Sequence, residues 1–121
     1  LTEATQTVTF NHAGWDRGEY WIRVQLLEEG LKRNPSSYQL NFRRGLIAFL
    51  EKDYRTALDQ GLKALKLTDK EFEQLDCLRL IYWSAKELDD RETQKRALVD
   101  LLVLRPEDAL WSREMKKLQA R

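Results

Sequence analysis

Histidine and cysteine are almost missing from this chain: His12 and Cys77 stand alone among 121 residues. One cysteine excludes an internal disulfide and any cysteine-pair metal site. One histidine cannot supply a His-rich metal site or a His-based catalytic triad by itself, and His12 lies in the least regular segment. No Gly-rich phosphate loop is present. An excess of one charge is also lacking. Lys+Arg number 21 and Asp+Glu 20, which argues against a generic nucleic-acid or membrane-surface binder, since these need a basic excess. No run approaches the ~20 apolar residues of a membrane helix, and no basic-then-apolar leader opens the chain. The chain begins at Leu1 rather than Met, which reads as an excised domain or a processed product.

Turn formers are scarce too, with five glycines and two prolines. What fills the space between them is helical. Apolar residues recur at a 3.6 period over long stretches, and the interspersed charges, 34% of the chain, suit solvated helix faces. The first clear helix spans about 16–33, with Tyr20, Val24, Leu27 and Leu31 as its buried stripe. Asn34-Pro35 stops it, because proline cannot continue the hydrogen-bond ladder. Ser36 or Ser37 can cap the next helix, which runs to about Glu51. It carries a mixed face (Leu40, Arg44, Ile47, Glu51) and a more apolar one (Phe42, Gly45, Leu46, Phe49). A helix from Asp53 to Leu67 turns Ala57, Gly61 and Ala64 inward. Gly45 and Gly61 mark places where a neighbouring helix comes too close for a larger side chain, since glycine costs a helix about 1 kcal/mol relative to alanine.

A fourth helix, about 70–88, has Leu75, Leu78, Tyr82 and Ala85 as its stripe, with Leu80 and Trp83 expected to point away. A fifth, about 90–104, buries Ala97, Leu98, Leu101 and Leu102 and ends at Arg105-Pro106. The last, about 107–119, carries Trp111, Met115 and Leu118 on one side. In residues 1–15, Thr7 to Phe10 is β-prone and 11–14 reads as a turn, although periodicity would place a helix there.

These segments repeat. Gly18-Glu19-Tyr20 through Asn34-Pro35 lines up with Lys52-Asp53-Tyr54 through Thr68-Asp69, 34 positions on, and a looser copy runs from Asp89 to Arg105-Pro106. Such a period is the mark of stacked helical hairpins. The residues resemble the tetratricopeptide repeat. Gly45 falls where that family has a small residue in its first helix, Lys52-Asp53-Tyr54 on its inter-helix turn, and Ala57 and Ala64 on small residues of its second helix. Asn41 departs from the family's Trp, and Tyr82 stands where a small residue belongs. The resemblance implies an all-α fold: a short right-handed α-solenoid of about three antiparallel helix-turn-helix units. These would be residues 1–35, 36–69 and 70–106 of a single domain 1–121, with 107–121 as a capping helix.

For function, the resemblance implies a concave surface lined by the first helix of each pair. The candidate partner-binding residues there are Gln39, Phe42, Arg43, Leu46, Phe49, Arg79, Leu80 and Trp83, with Asp76 beside them. Aromatics and arginines of this kind populate binding hot spots. Some relatives in that family clamp a carboxylate with Lys and Asn, but the matching places here hold Phe42, Leu46 and Leu80. The expectation is a non-catalytic adaptor for a protein or peptide, with no cofactor, no nucleic acid and no membrane insertion. The alternative is an assembly segment that stacks end to end as a homo-oligomer, sealed by Trp15, Trp21 and Trp111. Cys77 reads as a small buried hydrophobe.

Overall fold

The computed structural model describes residues 17–120. The β-prone and turn segments of the N-terminus, His12 and Trp15 lie outside the described residues, so the helix expected there is left where the sequence put it. Six helices follow: α1 (Arg17–Arg33), α2 (Tyr38–Leu50), α3 (Tyr54–Leu65), α4 (Glu71–Glu87), α5 (Arg91–Leu104) and α6 (Ala109–Ala120). No strand occurs among the described residues, and each helix packs on the next. No described helix is long and apolar enough to cross a membrane.

Local chemistry explains the boundaries. The Asn34 amide donates to the Gly30 carbonyl at 2.8 Å as α1 ends. Ser37 then caps α2, its hydroxyl accepting from the Leu40 amide. Asn41, placed where a large aromatic was the family expectation, is fully buried. Its amide donates to the carbonyls of Pro35 (2.9 Å) and Ser37 (2.7 Å), tying the loop to the helix. The helix expected over about 16–33 is α1, helical from Arg17 and including Gly18 and Glu19.

The α2–α3 and α4–α5 connections are built alike. Lys52 and Asp89 adopt left-handed backbone, φ 64° and 56°. The following amides, of Asp53 and Asp90, reach back to the carbonyls of Ala48 (2.8 Å) and Ala85 (2.9 Å). This 6→1 bond satisfies a carbonyl that the helix end would otherwise strand. Asp53 and Asp90 then cap α3 and α5 by accepting from the amides of Thr56 and Thr93. Hydrogen bonds from the Thr56 and Thr93 side chains foremost, and then from those amides, hold both carboxyl groups below their ordinary range.

Two larger core clusters form along the stack. One gathers Leu75, Leu78, Tyr82, Ala97, Leu98, Leu101, Trp111 and Leu118 between α4, α5 and α6. The other joins Tyr38, Phe42, Ala48, Ala57, Ala64, Cys77 and Leu80 across α2, α3 and α4. A third, of Val24, Leu27 and Ile47, attaches α1 to α2. The mixed face of α2 turns toward α1: Arg44 lies between Glu28 (3.4 Å) and Glu51 (3.5 Å). Both glycine expectations hold. A Cβ at Gly45 would stand 2.9 Å from a Leu80 methyl, and one at Gly61 would stand 3.1 Å from Ile81 Cγ1.

Candidate partner-binding face

α2 and α4 lie side by side. The Tyr38 hydroxyl donates to the Glu73 carbonyl, 35 positions away (3.4 Å), and Gly45 meets Leu80 at the same offset. By this register Arg43 stands level with Leu78 and Arg79. On α2, Gln39 and Arg43 are exposed, whereas Leu46 and Leu50 are half-buried, Leu46 against the core shared by α2, α3 and α4. On α4, Arg79 is exposed, Asp76 is buried, and half-buried Trp83 packs against the core of α4, α5 and α6.

The expected site residues divide between this face and the core. Gln39, Arg43 and Arg79 are exposed, while Leu46, Phe49 and Trp83 are half-buried. Phe42 and Leu80 are a correction. They are 3% and 6% exposed, and belong to the core cluster between α2 and α4. Phe42 stacks on Tyr38 with ring centroids 5.8 Å apart, and one Leu80 methyl fills the space between Gly45 and Gly61. Close approach of two helices at a glycine buries the residues beside it, which the periodicity of either helix alone does not reveal. Phe49 packs edge-on against Tyr54 at 5.3 Å. Trp111 is likewise buried, against Tyr82 and Trp83, rather than presented on an end face.

Two acidic side chains of α4 beside Arg79 are buried. Glu73 and Asp76 are both 8% exposed. Glu73 accepts a short hydrogen bond from the Thr68 hydroxyl. Asp76 Oδ1 pairs with Arg79 at 3.4 Å, whereas its Oδ2 has no hydrogen-bond partner among the described residues. Burial therefore raises the Asp76 carboxyl above its ordinary value, with Arg79 pulling the other way. Burial also pushes the Cys77 thiol up to about 12, and the Tyr38 hydroxyl upward. A thiol held protonated in this way is a poor nucleophile. Among the described residues, no group of three or more His, Cys, Asp and Glu side chains could hold a metal ion.

At the other end of α4 is a network that periodicity did not reveal. Glu114 on α6 is 5% exposed and accepts from the Tyr82 hydroxyl (2.6 Å) and the Lys86 ammonium (2.9 Å), with Lys117 at 3.3 Å. These hydrogen bonds, Tyr82 foremost, hold its carboxyl down at about 2. Lys86 also sits over the Trp83 ring, 5.2 Å from its centroid. Tyr82 occupies the place where a small residue was expected, and its hydroxyl is what makes a buried carboxylate on α6 tolerable. The readable signal was limited to one glutamate on the apolar side of a helix, between Trp111 and Leu118. No family model matches the chain, and no curated protein matches it.

Proposed function

We propose that this chain is a non-catalytic interaction module that holds a peptide or partner protein against the shared face of α2 and α4. The 35-residue offset between these two helices supports the reading most directly, because Arg43 and Arg79 lie within one residue of it on adjacent helices. Both guanidinium groups are exposed and are flanked by the half-buried Leu46 and Trp83. Such a surface suits an acidic segment with an apolar anchor, the arginines meeting carboxylates in bidentate fashion and the aromatic supplying contact area.

The finer architectural reading belongs to the same proposal: about three antiparallel hairpins of tetratricopeptide type, capped by α6. The matching connections at Lys52-Asp53 and Asp89-Asp90 support it, as does the packing of each helix on its successor.

Selection of peptides from a random display library tests the function. Enriched sequences should be acidic, and changing both Arg43 and Arg79 to Glu should abolish their binding while leaving the helical circular dichroism unchanged. Backbone amide shifts on titration should concentrate at residues 39–50 and 76–86. Enriched peptides that bind the double variant as well as the parent would refute the assignment of this face.

A further inference from the structure

Exposed aliphatic side chains are concentrated on the outer sides of two helices. Ile22 and Leu26 on α1 are 58% and 63% exposed, and Val99 and Val103 on α5 are 46% and 74% exposed. Contiguous exposed apolar groups mark contact surfaces more often than chance. Each pair belongs to a longer stripe at 4-3-4 spacing, which keeps four side chains on one side of a helix. On α1 the stripe reads Ile22, Leu26, Glu29, Arg33. On α5 it reads Glu92, Arg96, Val99, Val103. All eight residues are exposed. Glu29, Arg33, Glu92 and Arg96 take part in no salt bridge among the described residues.

The two stripes are complementary in reverse. Set antiparallel, Ile22 faces Val103, Leu26 faces Val99, Glu29 faces Arg96 and Arg33 faces Glu92, every layer in the same register. Two layers are aliphatic on aliphatic, and two join opposite charges. The parallel setting fails this test, because it puts Ile22 on Glu92 and Arg33 on Val103. Within one chain both stripes point outward, so neither can cover the other. We propose that α1 of one copy docks antiparallel on α5 of a second copy, making this chain self-associate through those eight side chains. The occupant of each stripe is the other stripe, which explains both exposed apolar pairs with one contact. The alternation of apolar and charged layers also sets the register, since a slip by one turn opposes Leu26 to Arg96. This surface is separate from the face of α2 and α4, so either proposal can fail alone.

Sedimentation of the chain at increasing concentration, up to about 1 mM, tests association. The expected result is a concentration-dependent rise in mass, lost when Leu26 or Val99 is changed to Asp. A charge-swap cycle tests the register. The α1 swap (Glu29→Arg with Arg33→Glu) and the α5 swap (Glu92→Arg with Arg96→Glu) each oppose like charges. Each alone should weaken self-association roughly tenfold or more. Both swaps in one chain should restore it, and so should mixing the two singly swapped chains. All of these positions are exposed, so unchanged thermal melting provides the folding control. A chain that stays monomeric throughout this range would overturn the proposal, as would association that ignores the swaps or is not rescued by combining them.

Discussion

Replacing Gly45 by alanine tests how the two walls of the candidate face are spaced. In an open helix the change would stabilise the chain by about 1 kcal/mol, the ordinary gain in helix propensity. Here the added Cβ meets a Leu80 methyl at 2.9 Å, Gln60 Cβ at 3.2 Å and the Ala57 carbonyl oxygen at 3.4 Å. Leu80 cannot simply swing aside. The side chain is almost fully buried among the residues of its core cluster. Overpacking of this kind costs about 1–3 kcal/mol, so the net effect should be a loss of about 1 kcal/mol. Gly30 is the control. A Cβ there meets only the methyl groups of half-buried Leu40, at 3.3 and 3.6 Å, so Gly30→Ala should be neutral or gain up to about 1 kcal/mol. Urea or thermal unfolding separates the two variants, as 1 kcal/mol moves the thermal midpoint of a chain this size by about 4 °C. A double-mutant cycle adds the mechanism: Leu80→Ala should cost less in the Gly45→Ala background than in the parent, by about 1 kcal/mol. A Gly45→Ala variant more stable than the parent, or a cycle with no coupling, would refute the claim that this glycine sets the α2–α4 distance.

Three further outcomes are expected. Lys52→Gly should stabilise the chain by about 1 kcal/mol in chemical denaturation, because a β-carbon strains the left-handed backbone there. Asp89→Gly should gain less, since aspartate tolerates that region better. Glu114 should make stability acid-sensitive. Its carboxyl titrates at about 2 when folded and near 4.5 when unfolded, so its contribution is complete above about pH 4.5 and fades as pH falls toward 2. The difference in unfolding free energy between the parent and Glu114→Gln should therefore shrink by up to about 3 kcal/mol across that window, and a flat difference would exclude the network as its source. Tyr82→Phe, which removes the donor while Lys86 and Lys117 remain, should cost about 1–3 kcal/mol and raise the Glu114 pKa in carboxyl NMR titration.

The helical elements were legible because their signals are local. Asn34-Pro35 and Arg105-Pro106 terminate helices through the missing amide hydrogen of proline. Ser37, Asp53 and Asp90 begin helices by offering an oxygen to the amide three residues ahead. The inward stripes at Val24 and Leu27, Ala57 and Ala64, and Leu98 and Leu101 follow from a 3.6 period. Gly45 and Gly61 could be recognised as close-packing sites because glycine has no other reason to sit inside those helices.

The candidate face was legible only in part. Gln39, Arg43 and Arg79 reach solvent as their spacing suggests, but Phe42 and Leu80 do not. Whether an apolar residue beside an interior stripe is core or surface depends on how closely the next helix approaches, and that approach belongs to two segments at once. Composition, spacing and capping residues determined six helices, where each ends and which stripe turns inward, since each is decided within about a turn of chain. Tertiary structure alone decided that Leu80 fills the gap between two glycines and that Glu114 can be buried as an anion. It also decided that the stripes of α1 and α5 both remain uncovered. Each of these depends on which groups are brought together across tens of residues, and a local pattern contains no information on that distance.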